Sequence, residues 1–195
     1  MKNILLSILS GIFLSSCNSS LGSGAVDANQ VNAPTDLIQP GFQNSLLYSY
    51  LPLSKSLKAI ECVQAGSIYI YGTQYRNLED FSFVEELLLF SSLSDCNLKA
   101  NPYQRMRTFR LPQSYVSNGS NVENITFKIV EVKVSFFSNY VATANAGALY
   151  GKVNWTANVE QSVLNTVQNT TSTIQFIYMN FGSVSIGSRM YEPVK

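Results

Sequence analysis

Period-two alternation of apolar and polar side chains runs through the second half of this chain and constrains its fold more than any other feature. Residues 149–159 are the clearest case. Leu149, Val153, Trp155, Ala157 and Val159 share one face, with Gly151 between them, and Tyr150, Lys152, Asn154, Thr156 and Asn158 share the other. This is the pattern of a half-buried strand with a solvated face, and it makes Trp155 a core residue. Residues 124–137 form a longer extended segment, with Val130, Val132, Val134 and Phe136 on one face and Ile125, Phe127, Ile129, Glu131 and Lys133 on the other. Its density of β-branched residues argues for strand. Residues 173–186 alternate Ile174, Phe176 and Tyr178 with Gln175, Ile177 and Met179, and Gly182 marks a bulge there. Residues 67–71 and 104–111 are shorter strand candidates.

The first half reads differently. Ser54 caps a helix through Ala65, with Leu57, Ile60 and Val63 on one face and Gly66 just past its end. Residues 77–91 place Leu78, Phe81, Val84 and Leu88 at near-helical spacing, with Glu79 and Asp80 near the start, although Leu87 to Phe90 equally suits a buried strand. Strands without regular intervening helices favour an antiparallel sheet over a doubly wound one. The expected fold is mainly β, an antiparallel sandwich or curled sheet carrying one or two short helices, with α+β as the alternative. No internal repeat is visible.

Hydrophobic residues make up 46% of the 195 and charged residues 13%, enough apolar surface for one sizeable core. The N-terminus has a single charge, Lys2, followed by a short apolar run over residues 4–14. That is a secretory signal pattern, too short for a permanent span of about 20 apolar residues. It ends in Leu14-Ser15-Ser16-Cys17. This segment resembles the lipobox of bacterial lipoproteins: a branched residue, two small residues and the acceptor cysteine. The resemblance covers the first seventeen residues and implies cleavage before Cys17 and acylation of its thiol. More than one acyl chain gives a stable anchor. Asn18, where enteric lipoproteins retained in the inner membrane tend to carry aspartate, favours the outer membrane, with the periplasmic or surface face left open. Residues 18–40 are rich in Ser, Gly, Ala, Asn and Gln and read as a flexible tether, with a mean span of roughly 25–30 Å. The expected organisation is a leader over 1–16, lipidated cysteine and tether over 17–40, and a single β-rich domain over 41–195.

With Cys17 acylated, Cys62 and Cys96 remain, and in an oxidising compartment they can pair. Such a bond would contribute roughly 3–4 kcal/mol on the chain-entropy model. Two buried free thiols are the alternative. A secreted eukaryotic glycoprotein is a rival reading of the whole, since sequons occur at Asn18, Asn118, Asn124, Asn154 and Asn169.

Removing the leader leaves 12 basic and 12 acidic residues, so no net charge steers the mature chain toward nucleic acid. The chain has no histidine, which excludes Ser-His-Asp and Cys-His catalysis and histidine-ligated zinc. No phosphate loop or EF-hand spacing occurs, and no catalytic residue, metal or cofactor is assigned. Carboxylate-pair hydrolysis needs only two acids, for which Glu79, Asp80, Glu85 and Glu86 are the candidates, set against a solvated face as the plainer reading. Between Asp95 and Glu123 there is no acid, and Lys99, Arg105, Arg107 and Arg110 interleave with Tyr103 and Phe109. On a strand, Tyr103, Arg105, Arg107 and Phe109 share a face suited to an anionic ligand. A charged edge strand, or pairing with the acidic segment 79–86, accounts for the same residues. Tyr69, Tyr71 and Tyr75 suit sugar stacking or a half-buried sheet face. The expected function is a lipid-anchored, non-enzymatic binding or accessory module of the bacterial envelope. Its partners would be the membrane, through the anchor, and an envelope protein or anionic glycan. A hydrolase of envelope glycan is the enzymatic alternative.

Overall fold

The computed structural model describes residues 45–51, 56–76, 82–163, 171–179 and 182–194. The leader, Cys17, the tether, Ser54, residues 77–81 with Glu79 and Asp80, and Asn169 lie outside the described residues. In chain order the elements are α1 (Leu46–Tyr50), β1 (Ser56–Ala59), β2 (Val63–Ala65), β3 (Ile68–Arg76), β4 (Phe83–Phe90), α2 (Leu93–Leu98), β5 (Gln104–Ser117), β6 (Val122–Phe136), α3 (Val141–Ala146), β7 (Gln161–Ser162), β8 (Thr171–Tyr178), β9 (Val184–Ile186) and β10 (Arg189–Pro193).

Every ladder between these strands is antiparallel. The order β1-β10-β9-β8-β6-β5-β4-β3 closes on itself because β1 also pairs β3, with Lys58 opposite Thr73. The sheet is therefore an eight-stranded barrel, a curled sheet rather than a sandwich. Closure removes the free sheet edges that would otherwise invite pairing with other chains. Two short strands complete the wall. β2 continues the line of β1 along the edge of β3, and β7 lies beside the last turn of β6.

The tightest corners are Gly66-Ser67 between β2 and β3 and Gly187-Ser188 between β9 and β10. In each the glycine alone has positive φ, 63° and 59°, and Ala65 faces Ile68 as Ile186 faces Arg189. These are two-residue hairpin loops of the type II′ pattern, whose first position needs glycine. The expected helix over 54–65 does not form. Its length is divided between β1 and β2, and Gly66 turns a hairpin instead of capping a helix. The strand alternative holds for 87–90, which lie in β4. The single strand expected over 173–186 is two, β8 and β9, with Gly182 at φ 83° in the connection.

The two longest strands, β5 and β6, carry most of the barrel. Their register shifts at Phe109/Arg110 and again at Pro112/Ser114. A bulge adds one residue and reverses the alternation beyond it. In β6 the inward row is Ile125, Phe127 and Ile129 before the shift and Val132, Val134 and Phe136 after it, all buried. The two faces expected from the sequence thus each supply half of the interior.

Residues 149–159 are not a strand. They form a 3-10 turn at Leu149–Gly151 and irregular chain, with one bridge from Ala157 to Phe136. Positive φ at Ala148 (46°), Tyr150 (55°), Gly151 (70°) and Asn158 (61°) breaks the extended path. Val153 and Val159 are exposed, and only Trp155 is deeply buried, as expected of it. It is held by a side chain rather than a ladder: Asn145 Oδ1 accepts from Trp155 N at 2.7 Å and Asn145 Nδ2 donates to Trp155 O at 3.0 Å. Ala144, Trp155 and Val163, with Tyr140 and Tyr150, pack against Ile70, Leu87, Leu89, Met106, Val134 and Phe136. Residues 137–163 therefore stopper one end of the barrel.

Outside the wall, α2 packs on β3 and β4, and the Cys62–Cys96 disulfide ties it to the break between β1 and β2. Ser92 caps this helix, its Oγ accepting from Asp95 N at 3.1 Å.

Candidate functional site in the barrel interior

Antiparallel register places Gln74, Glu85 and Thr108 in one inward row and Phe83 and Arg110 in the next. Arg189 and Tyr191 reach the same interior from β10, opposite Ile186 and Val184. Arg110 Nη2 lies 2.6 Å from Glu85 Oε2, and Arg189 Nη1 lies 3.5 Å from Oε1. Gln74 also donates to the Glu85 carboxylate, and the Tyr191 hydroxyl bonds Gln74 and Arg189. Burial pushes the Glu85 carboxyl up, but the charges of Arg110 and Arg189 and the hydrogen bonds outweigh it, so the net shift is downward. Glu85 is thus ionised at neutral pH, and two guanidiniums share it. Arg110 is 7% exposed, and its Nε is buried with no hydrogen-bond partner.

The rest of the chamber is apolar. Phe83, Phe127, Ile174, Phe176 and Ile186 line it together with Gln74, Glu85 and Arg110, and Leu47 of α1 and Leu51 just after it close it. The free space amounts to about 20 Å³, room for about one water molecule. Glu123, at the start of β6, fastens the closing helix. Its Oε1 accepts from Leu46 N at 2.6 Å, and its Oε2 accepts from Leu47 N at 3.2 Å and from the Tyr178 hydroxyl at 3.1 Å. A carboxylate at a helix N-terminus satisfies otherwise orphaned N–H groups. Tyr50 adds a ring contact with Tyr178 at 4.5 Å.

At the opposite end the polar groups are fewer. Gln104 Nε2 donates to the Tyr150 hydroxyl at 2.8 Å, and burial pushes that hydroxyl up to about 12. Burial, helped by Tyr140 and Tyr150, also raises Tyr103. These aromatics are core: Tyr103 meets Tyr140, Tyr140 stacks on Phe136, and Tyr150 contacts both Phe136 and Trp155.

The basic segment singled out in the sequence is divided among three places. Arg105, Arg107 and Phe109 share the outer face of β5. Arg107 pairs with Glu160 and bonds Tyr75, Arg105 lies 3.9 Å from Glu86, and both Arg107 and Lys133 sit over the Phe109 ring. Tyr103 is buried against Tyr140. Lys99, at φ 55° past α2, covers the Tyr71 ring at 4.2 Å. Arg110 points inward. Tyr69, Tyr71 and Tyr75 share an outer face that is partly covered. Of the candidate acids, Glu85 and Glu86 are adjacent in β4 and point to opposite sides of the wall.

Sequence reasoning missed Gln74, Glu123, Arg189 and Tyr191. Among the described residues no group of three or more His, Cys, Asp or Glu side chains is placed to hold a metal. Among them, too, no helix is long and apolar enough to cross a membrane. No protein-family model and no curated protein matches the chain.

Proposed function

We propose that this protein is a lipid-anchored, non-enzymatic module of the bacterial envelope, held by Cys17 and presenting its barrel for binding or for support of an envelope assembly. The observation that carries this reading is the barrel itself, closed, stoppered at both ends and standing on the chain beyond a tether and a lipobox-like cysteine. Its outer face carries Lys58–Glu192, Arg105–Glu86 and Lys133–Glu131 pairs, whereas a barrel that spans a membrane presents an apolar band to lipid. The disulfide fits an oxidising compartment. The hydrolase reading is weaker on the same geometry. Glu85 is neutralised by two arginines, and its neighbour Glu86 faces the other side of the wall.

Metabolic labelling with a palmitate analogue tests the anchor. Label on the parent and none on Cys17→Ser supports it; equal label on both overturns it. Protease shaving of intact cells, with a periplasmic marker, then assigns the face. Digestion while the marker is protected directs the search to external ligands, and protection until lysis directs it to periplasmic partners.

A further inference from the structure

Two arginines inside the barrel hold a single carboxylate between them, while the other buried acid, Glu123, is engaged by Leu46 N, Leu47 N and the Tyr178 hydroxyl. Arg110 and Arg189 share Glu85, and among the described residues no second carboxylate lies within ion-pair distance of either. Buried charges persist where they are paired. Arg110 also keeps a buried, unpartnered Nε. It lines the chamber beside Glu85 and Gln74, and the remaining walls are Phe83, Phe127, Ile174, Phe176 and Ile186. Two guanidiniums around one carboxylate leave one positive charge over at the floor of an aromatic and aliphatic shaft, which suits a molecule with one anionic end and one hydrocarbon end.

The chamber as it stands admits about one water, because Leu47 and Leu51 fill its mouth. The helix that carries Leu47, with Leu51 just past its end, has five residues, too few to be stable alone. Its hold includes the two leucines with Leu46, the Tyr50–Tyr178 contact and the Glu123 carboxylate.

We propose that the barrel binds a single-chain amphiphile with a carboxylate head, such as a fatty acid, and that α1 is the plug this ligand displaces. The head lies between Arg110 and Arg189, whose planar forks match a carboxylate, so that two guanidiniums face two carboxylates. The chain lies along Phe83, Phe127, Ile174 and Phe176, in the space Leu47 and Leu51 now occupy. An eight-stranded barrel is wide enough for one small ligand. This inference rests on reading the protein as a binding module and names its ligand.

The test titrates the full chain carrying Cys17→Ser with 11-(dansylamino)undecanoate and follows dansyl fluorescence. Saturable binding at one probe per chain is expected, displaced by laurate and not by methyl laurate. Leu47→Ala with Leu51→Ala should tighten binding about tenfold, because the open state becomes more populated. Arg189→Gln should weaken it at least roughly tenfold through loss of a charge-assisted contact, while leaving Trp155 fluorescence unchanged as a check on the fold. Arg110→Gln serves as a second variant. No saturable signal in both the parent and the leucine variant overturns the proposal, as does equal competition by laurate and its methyl ester. The chain used is unacylated, so this result is independent of palmitate labelling, and either can fail without the other.

Discussion

Arg110 and Glu85 meet inside the barrel one inward position apart on neighbouring strands, with Nη2 2.6 Å from Oε2. The pair gives the interior a defined response to acid. A carboxyl whose folded pKa lies below its unfolded value adds stability above the unfolded value and loses it as the pH falls through the folded one. Glu85 is lowered from 4.5, so its contribution is complete at neutral pH and declines below that value. Glu85→Gln should cost about 3–5 kcal/mol at pH 7, because two guanidiniums are left without a counter-charge. The difference between parent and variant should shrink as the pH is lowered through the acid range. Urea melts at pH 7 and at steps below 4.5 measure both effects; a pH-independent difference would refute the assignment.

Gly72 is required by a close approach. A Cβ built there lies 2.9 Å from the Tyr191 hydroxyl oxygen and 3.3 Å from Leu87 Cδ2. The hydroxyl is held by Gln74 and Arg189 and cannot swing clear without giving up those bonds. Gly72→Ala should therefore destabilise by about 1–3 kcal/mol, the usual cost of overpacking. Adding Tyr191→Phe should recover part of the loss. Urea midpoints of the two single variants and the double variant form the cycle, and strict additivity would contradict the contact.

What was legible in the sequence was the mainly β class and, over short stretches, the inward row; the alternation over 149–159 belongs to irregular chain, and the helical spacing over 54–65 to two strands. Ile174, Phe176 and Tyr178 line the barrel as their alternation indicates. The same logic failed in β6, because the bulge that moves the inward row from Ile129 to Val132 depends on the partner strand. Gly66-Ser67 and Gly187-Ser188 suit hairpin loops, a signal that the reading by periodicity does not use. The first was absorbed into a helix reading because Leu57, Ile60 and Val63 also fit a helical spacing. Within the candidate site, Glu85 falls between Phe83 and Leu87 at period two, which marks it as inward. Arg110 is out of step with Arg105 and Arg107 on a regular strand, which puts it on the other face. Arg189 and Tyr191 carried no local signal. Barrel closure brings them to Glu85 from about a hundred residues away, and no periodicity reports that.

Asn145 clips the stopper at the far end by bonding both the N–H and the C=O of Trp155. Asn145→Ala removes both bonds and leaves two backbone groups near the core to find other partners, a loss of about 1–3 kcal/mol. The loss should be local as well as global. Residues around Trp155 should exchange amide hydrogens faster than β4 does, and the fluorescence of the single tryptophan should shift to the red. Unchanged exchange at Trp155 would show that its other contacts, the Nε1 hydrogen bond to Leu149 O and the packing on Phe136 and Tyr150, hold the segment.

The Cys62–Cys96 bond links positions 34 residues apart and joins α2 to the break between β1 and β2. The strands on either side of that break are short, four and three residues, so few ladder hydrogen bonds hold this part of the wall. The bond limits the unfolded chain and also positions the break. Cys62→Ser with Cys96→Ser should lower stability by roughly 3–4 kcal/mol on the chain-entropy model. Exchange should rise first in β1 and β2, while the β5–β6 ladder stays protected. Reduction of the parent with dithiothreitol should reproduce the shift in the urea midpoint. A double-serine variant as stable as the oxidised parent would mean that burial of Cys96 and the packing of α2, not the covalent bond, secure this side of the barrel.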